Sequence, residues 1–264
     1  MNASRTQREG EQSSGDIHIS EICIVAIAEA FRGDGEVLCN PMGPVPVIAG
    51  RLARATFEPD LMLTDTIAYA VSDTLAFGGD VSNATVESYM PFRSIFDQVW
   101  SGKRHVVMGA SQIDRHGNQN FAAIGDYRKP KAQLLGLRGA PGNLINHATT
   151  YWVPNQARSF SNTVDVVSGP GYDTIARLPE ASRRNFEIRR VVTELGAYDF
   201  ENDEHTMRLR SIHPGVTLDQ IVEATPWELD IGDAVPETRL PTDEDLRLIR
   251  EVNDPNGARQ GEFR

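Results

Sequence analysis

The chain has 264 residues, of which 24% are charged and 40% hydrophobic, and its formal net charge is −11. These values are typical of a globular protein with one substantial core. The negative charge argues against binding to nucleic acid or to anionic lipid, because both need a positive surface field. No segment approaches the roughly 20 consecutive apolar residues of a membrane span, and the polar N-terminal residues contain no apolar signal core. We therefore expect a cytoplasmic protein.

The boundaries of the folded part are predicted from composition. Residues 1–16 are polar and predict a disordered tail, and residues 256–264 predict a second disordered tail. Between them, residues 17–255 contain no repeat, low-complexity linker or composition break, so we expect one domain. Cys23 and Cys39 have no metal-type spacing to a histidine and are expected to be reduced and structural.

The first part of the domain alternates between helix and strand. ISEICIVAIAEAFRG (19–33) predicts a helix with Ser20 as its cap and Gly33 as its stop. A strand is predicted at 36–39, a helix at 47–57 and a strand at 61–64. Because parallel neighbours need long crossovers, this order favours a parallel sheet covered by helices.

The remaining elements continue this pattern and then change it. A helix is predicted at 92–100, and strands at 105–110, 132–136 and 163–171. From about residue 185 the segments are typical of antiparallel extended chain, and a helix capped by Thr242 closes the domain. The predicted fold class is α/β, with an open, mainly parallel sheet covered by helices and antiparallel extended segments toward the C-terminus.

Two loops in the middle of the chain are rich in glycine and asparagine, namely GASQIDRHGNQNFAAIGDY (109–127) and GLRGAPGN (136–143). Glycine lets backbone N–H groups approach a charged oxygen, so the amides of Gly139 and Ala140 are candidates for an oxyanion site. A tight turn without a ligand is the open alternative. GLRGAPG lacks the GxGxxG spacing of a dinucleotide-binding site. A second glycine segment, GPGYD (169–173), is typical of a turn.

No other catalytic motif is present. The six histidines include no HExxH motif and no pair at metal spacing, and there is no GxSxG serine elbow. We therefore predict no metal. His147, in the polar run NLINHATTYW, is the histidine with the best claim to a role, which the sequence leaves undefined.

The two loops together resemble a known family. The order GASQIDRHGNQNFAAIGDYRKPK followed by GLRGAPGN is similar to the β subunits of class I coenzyme A transferases of the glutaconate CoA-transferase type, and the resemblance extends from about Ser20 to Pro255. It implies an open α/β domain of class I CoA-transferase type, paired with a homologous α subunit as αβ or α2β2. It also implies an active site at the junction of the two subunits and an acyl-CoA substrate.

One position departs from the transferring members of that family. There, the strand after the second helix ends in a glutamate that carries CoA as a covalent thioester. Here the segment is LMLTDT, so Thr64 takes the place of the glutamate. Asp65 follows by one residue and so points to the opposite face of a strand, where it is expected to cap the next helix.

The segments GAPGNLINHATTYWV, VDVVSGPGYD, HPGVT and TRLPTDEDLRLIR resemble a branch of this family that hydrolyses a carbon–carbon bond in steroid-derived cyclic CoA thioesters. The resemblance implies that no cofactor is needed beyond the CoA of the substrate, and that the general base lies on the α subunit. Gly139 and Ala140 are then the oxyanion amides. The residues expected to contact substrate are Asn40, Met42, Thr64, Arg138 and Asn143.

Within the diagnostic loop, Gln112, Asn118, Asn120 and Tyr127 are predicted mainly to hold loops together through hydrogen bonds. Two other functions remain open. One is half of a CoA-transferase for a small dicarboxylic acid such as glutaconate, with another residue as nucleophile. The other is a non-catalytic subunit that binds an acyl-CoA.

Overall fold

A computed structural model of the chain describes residues 17–64, 69–82 and 84–263. Its α-helices are α1 (Ile19–Glu29), α2 (Pro44–Thr56), α3 (Phe92–Val99), α4 (Ala140–Ile145), α5 (Gln156–Ser159), α6 (Tyr172–Ile175), α7 (Glu180–Arg183), α8 (Leu218–Glu223) and α9 (Asp243–Arg247). Its strands are β1 (Leu38–Pro41), β2 (Leu63–Thr64), β3 (Tyr69–Val71), β4 (Val86–Tyr89), β5 (Arg104–Gly109), β6 (Gln112–Ile113), β7 (Gln119–Asn120), β8 (Ala123–Ile124), β9 (Ala132–Gln133), β10 (Ala148–Val153), β11 (Glu187–Thr193), β12 (Gly196–Asp199), β13 (Arg208–Ile212) and β14 (Asp230–Ile231).

A seven-stranded sheet organises the molecule, with strand order β1-β5-β10-β11-β12-β13-β14. The first four strands run parallel to each other, whereas β12 pairs antiparallel with both β11 and β13. Three further small sheets are entirely antiparallel. The predicted fold class, mainly parallel with antiparallel segments toward the C-terminus, is confirmed.

The sheet is buried on both faces, as parallel sheets require. On one face α1 and α2 pack against side chains such as Val107, Trp152 and Val192. On the other face Val106, Tyr151 and Val191 pack under α4 and α8. Neighbouring residues of β5 therefore belong to opposite cores, which is the period-two alternation of a strand.

Helix α1 is apolar around most of its circumference, because it is enclosed on nearly every side. Nine of its 11 residues are buried. It begins earlier than a cap at Ser20 would allow: His18 is the N-cap, and its Nδ1 accepts from the Ser20 amide at 3.2 Å. The Glu21 carboxylate accepts from the His18 amide at 3.0 Å, which completes a capping box.

Strand β10 was not predicted, although it lies in the middle of the sheet. Thr149 and Thr150 are polar by composition but fully buried, and His105 Nε2 lies 2.9 Å from Thr150 Oγ1. β-Branched threonine suits a strand, and a hydrogen bond offsets the cost of burying its hydroxyl. The strand was missed because a polar composition favours a loop.

Two predicted strands are largely wrong. Of residues 132–136 only Ala132 and Gln133 form a strand, exposed and paired with β8. Residues 163–171 form no strand beyond a single bridge between Gln119 and Gly169. Both segments direct backbone hydrogen bonds to the 109–127 loop, so they do not join the main sheet.

The predicted C-terminal tail is also wrong. Ala258–Phe263 forms a 3-10 helix, and Arg259 is buried between Glu21 and Asp254. Phe263 packs against Trp152 with ring centroids 5.6 Å apart. Most of these partners are remote in sequence, so local composition did not reveal them. The ordered C-terminal segment therefore extends the described part of the domain to residue 263, and the N-terminal tail predicted at 1–16 lies outside the described residues.

Within the described ranges, no helix is both long and apolar enough to span a bilayer. Cys23 and Cys39 are free and buried, as predicted. Burial raises the pKa of both thiols. Neither cysteine is therefore a reactive nucleophile.

Candidate functional site

The asparagine-rich loop is held by a buried carboxylate and an asparagine. Asp114 Oδ1 accepts from the amides of His116 and Asn118, each at 3.0 Å, and Asp114 Oδ2 accepts from Asn118 Nδ2. The Asn118 side chain also donates to Asp173 and accepts from the Gly171 amide. Burial raises the pKa of Asp114, although these hydrogen bonds oppose that shift. This part of the loop is a closed hydrogen-bonded turn.

A second network begins at Asn120. Its Oδ1 accepts from the amide of Ala122 at 2.9 Å, and its Nδ2 donates to Gln112 Oε1 at 2.6 Å. Gln112 in turn donates to Asp165 at 3.0 Å, which ties the loop to a later segment of the chain. The side chains of Gln112, Asn118 and Asn120 thus hold loops together. Tyr127, by contrast, is 59% exposed.

The glycines of these loops allow backbones to approach closely. A Cβ on Gly171 would lie 2.3 Å from the His116 carbonyl oxygen and 2.4 Å from the Asn118 nitrogen. A Cβ on Gly136 would lie 2.7 Å from the Phe121 carbonyl oxygen. Close approach of backbone therefore requires glycine at positions 136 and 171, in line with the turn interpretation of GPGYD.

The predicted oxyanion turn is Gly139–Ala140. Gly136–Arg138 forms one turn of 3-10 helix, after which α4 begins at Ala140. The Gly139 amide donates to the Gly136 carbonyl at 3.3 Å, so it already has an acceptor. The Ala140 amide has none among the described residues. Only one of the two predicted amide donors is thus left free in this arrangement.

A buried arginine connects two of the predicted substrate-binding residues. Arg104, the first residue of β5, is 3% exposed. Its Nη1 donates to Asn143 Oδ1 at 2.6 Å, and its Nη2 donates to Asn40 Oδ1. Asn40 comes from β1 and Asn143 from α4, so Arg104 brings together residues that are far apart in sequence. We refer to Arg104, Asn40 and Asn143 as the arginine cluster.

The cluster is positively charged and contains no carboxylate. Among the described residues, no acidic group forms an ion pair with Arg104, and its Nε has no acceptor. Burial lowers the pKa of Arg104 to about 10, which still leaves it charged at neutral pH. A buried cation without a countercharge is costly and marks a position where negative charge is favoured.

His147 completes the surroundings of Arg104 as a neutral group. Its Nδ1 donates to the Ala148 carbonyl at 3.1 Å, which leaves Nε2 as an acceptor 3.5 Å from Arg104 Nη1. Burial, with the Arg104 charge as the next cause, lowers the pKa of His147 to about 4. His147 is therefore uncharged at neutral pH, and its Nε2 can accept a hydrogen bond from Arg104.

Three further predicted substrate-binding residues are Met42, Thr64 and Arg138. Met42 is 44% exposed, and its amide donates to the Val107 carbonyl at 2.8 Å. Thr64 ends β2 and pairs with Ala70. Arg138 lies in the 3-10 turn, and nothing is described of its side chain. Asp65, with its expected capping role, lies outside the described residues.

A further set of side chains has the order of a catalytic triad. Asp34 Oδ2 lies 2.6 Å from His105 Nδ1, and His105 Nε2 lies 2.9 Å from Thr150 Oγ1. His105 and Thr150 have no exposed surface. A substrate cannot reach this hydroxyl, so the set ties strands together.

Arg104 was missed in the sequence because KRHVVMG has the pattern of charges flanking an apolar strand. The sequence held one weak signal. Side chains alternate between the two faces of a strand, so Arg104 must lie on the same face as Val106, which is buried. Within the described ranges, no group of three or more acidic, histidine or cysteine side chains is arranged so that it could hold a metal ion.

The comparisons agree with this architecture. A family profile described as coenzyme A transferase matches residues 24–224. This chain belongs to the coenzyme A transferase family. Among family members, it is similar to the cholesterol ring-cleaving hydrolase IpdB subunit of Rhodococcus jostii, with 52% identity over 92% of this chain and 95% of that protein.

Two further comparisons, one with a solved structure and one with a CoA-transferase subunit, agree with this assignment. It is similar to the crystal structure of IpdAB from Rhodococcus jostii RHA1, with a TM-score of 0.88, 49% identity and coverage of 94% of this chain and 99% of that one. It is also 32% identical to a glutaconate CoA-transferase subunit of Acidaminococcus fermentans, over 90% of this chain and 93% of that protein. The family and fold inferred from the two loops are confirmed.

Proposed function

We propose that this chain is the β subunit of a heteromeric hydrolase that opens a steroid-derived ring carried as a CoA thioester. The observation that carries the proposal is the 52% identity to a ring-cleaving hydrolase subunit over nearly the whole of both chains. The local chemistry agrees, because Thr64 stands where transferring members need a carboxylate nucleophile.

The reaction is hydrolysis of a cyclic β-keto thioester. Water, deprotonated by a general base, adds to the ring ketone, and the bond between that carbon and the carbon next to the thioester breaks. The electron pair passes to the thioester as an enolate, which then takes up a proton, while the former ketone becomes a carboxylate. Stabilisation of the enolate oxygen is the main demand on the protein, and each donor aimed at such an oxygen is worth about 2.7–4 kcal/mol.

This chain supplies donors and positive charge. We assign the oxyanion role to the Gly139–Ala140 turn, with the Ala140 amide as the free donor. Asn40, Met42, Thr64, Arg138 and Asn143 are proposed to line the substrate pocket. Thr64 stands in place of the glutamate of transferring members and cannot act as a base at neutral pH, so we place the general base on the α subunit. CoA arrives with the substrate, and no further cofactor is proposed.

We further propose that the chain works with a partner subunit and is located in the cytoplasm. A homologous α subunit, in an αβ or α2β2 assembly, completes the site, and the chain alone is inactive. Cytoplasmic location is supported by two free cysteines. A net charge of −11 argues against nucleic acid as a partner.

The test is coexpression with the product of an adjacent reading frame, followed by assay of bicyclic and monocyclic steroid-derived CoA thioesters. Ring opening by the complex and none by either chain alone is expected. Borohydride treatment during turnover should reduce no enzyme-bound thioester on this chain to an alcohol, so the intact mass of the chain should not change.

A CoA-transferase for a small dicarboxylic acid is the second candidate, supported by the 32% identity to a glutaconate CoA-transferase subunit. It predicts exchange of labelled CoA between two acids and a trappable thioester on this chain. A non-catalytic binding subunit is the third candidate. It predicts that replacing Gly139 by a bulky residue leaves the turnover of the assembled complex unchanged, whereas our proposal predicts its loss.

A further inference from the structure

We propose that Arg104 is a positioning residue which turns the side-chain amides of Asn40 and Asn143 so that both present N–H donors to the anionic oxygen of the substrate. This inference rests on the proposed function, because it assigns the donors for the enolate formed there. The family resemblance suggested Asn40 and Asn143 as substrate contacts, but it named neither Arg104 nor a link between the two asparagines.

The orientation follows from the chemistry of the guanidinium. Arginine has five N–H donors and no acceptor, whereas a carboxamide has both an acceptor oxygen and an NH₂ donor. Arg104 Nη1 and Nη2 meet the Oδ1 atoms of Asn143 and Asn40 respectively. Each asparagine must then turn its Nδ2 away from Arg104.

The two Nδ2 groups are free and accessible. Neither has an acceptor among the described residues, and neither is buried from solvent. Asn143 Nδ2 lies 3.5 Å from the point where a Cβ on Gly139 would sit, so it borders the Gly139–Ala140 turn. Asparagine donors and the Ala140 amide therefore belong to the same part of the molecule.

Arg104 cannot itself bind the substrate in this arrangement. It is 3% exposed, and its Nε has no accessible surface. Its influence passes through the two amides, which its positive charge polarises toward stronger donation. Neutral His147 on the same guanidinium leaves that charge uncompensated.

The experiment uses the complex with its α partner and four variants of this chain: R104M, R104K, the double variant N40A/N143A, and the triple variant carrying R104M as well. We expect R104M to lower kcat by about 10²-fold with KM little changed, as for loss of oxyanion donors. R104K should recover part of kcat, since lysine keeps the charge but not the fork geometry.

The triple variant decides whether Arg104 acts through the asparagines. Its kcat should lie within about threefold of that of N40A/N143A, because residues that act as one unit are not additive. A triple variant whose loss equals the product of the two separate losses would overturn the proposal. R190M is the control: Arg190 is a mostly buried arginine of β11 that contacts Glu201 and not the asparagines, and its loss should leave kcat unchanged.

A crystal structure of the R104M complex provides a readout that does not depend on activity. The two carboxamides should turn or become disordered when the guanidinium is absent, and unchanged carboxamides would overturn the inference. If the wild-type complex fails to open the ring, the proposed function is wrong. The crystal structure of the R104M complex still tests whether Arg104 orients the carboxamides of Asn40 and Asn143.

Discussion

Arg259 Nη2 lies 2.9 Å from Glu21 Oε1, and these two residues are 238 positions apart in the chain. Arg259 also reaches Asp254 at 2.9 Å, and Arg250 reaches Glu21 at 2.7 Å. Burial alone would raise the pKa of Glu21, but the Arg250 hydrogen bond and the other partners outweigh it and hold the pKa below its usual value. The C-terminal segment is thus fastened to the first helix by buried charge.

Replacing Arg259 by methionine should therefore destabilise the fold by about 3–5 kcal/mol, because it leaves buried Asp254 without its arginine and removes one of the two arginines that pair with Glu21. Urea denaturation measures the change. Arg247 offers a matched control, since it pairs with Glu244 on the surface, and R247M should leave the denaturation midpoint unchanged. An unchanged midpoint for R259M would show that the C-terminal segment does not contribute to stability.

Gly171→Ala should be strongly destabilising, by more than about 2 kcal/mol, because the added Cβ meets backbone atoms of His116 and Asn118 that cannot move aside. Gly142 lies in helix α4 with nothing within 4 Å of an added Cβ. G142A should therefore be neutral or stabilising by about 0.5–1 kcal/mol. Thermal denaturation of both variants compares the two directly, and equal effects would contradict the close-approach explanation.

Asn118→Asp should destabilise the loop in a pH-dependent way. The new carboxylate would face Asp114 and Asp173, which now accept from Asn118 Nδ2 at 3.0 and 2.8 Å. Its folded-state pKa is expected to rise, so the penalty is largest at neutral pH and is relieved below the unfolded pKa of about 3.9. N118A loses the hydrogen bonds without adding a charge. The stability difference between N118D and N118A should therefore shrink as pH falls, and a constant difference would contradict this account.

His213 should make the stability of the wild type fall between pH 7 and pH 5. Burial lowers the pKa of His213 to about 4, and its Nε2 donates to the Thr193 carbonyl at 3.0 Å while Nδ1 contacts Thr238 Oγ1. The folded state binds fewer protons than the unfolded state, so this contribution is present above the unfolded pKa of about 6.5 and is lost toward pH 4. The loss amounts to about 2 kcal/mol by pH 5.

His213→Gln keeps a donor near Thr193 but cannot titrate. Its free energy of unfolding, measured by urea denaturation at several pH values, should depend less on pH across this interval than that of the wild type. His147, with a pKa also lowered to about 4, contributes a similar slope that H213Q leaves in place. Equal slopes in wild type and H213Q would rule out the assignment.

Local patterns were sufficient for much of the fold. Helix α2, strand β5 and the Thr242 cap of α9 were predicted because periodicity and capping act within a few residues. The order of helix and strand likewise predicted a mainly parallel sheet. The sequences of the two loops rich in glycine and asparagine were sufficient to recognise the family.

What required tertiary structure depends on partners distant in the chain. Thr150 can be buried in a central strand because His105 of the neighbouring strand forms a hydrogen bond with its hydroxyl. The C-terminal 3-10 helix is ordered because Arg259 forms an ion pair with Glu21. The arginine cluster is of the same kind: Asn40 and Asn143 were named from sequence, but only the packing of β1, β5 and α4 places Arg104 between them. Desolvation and hydrogen bonding act over distances of a few ångströms in space, and chain order does not record those distances.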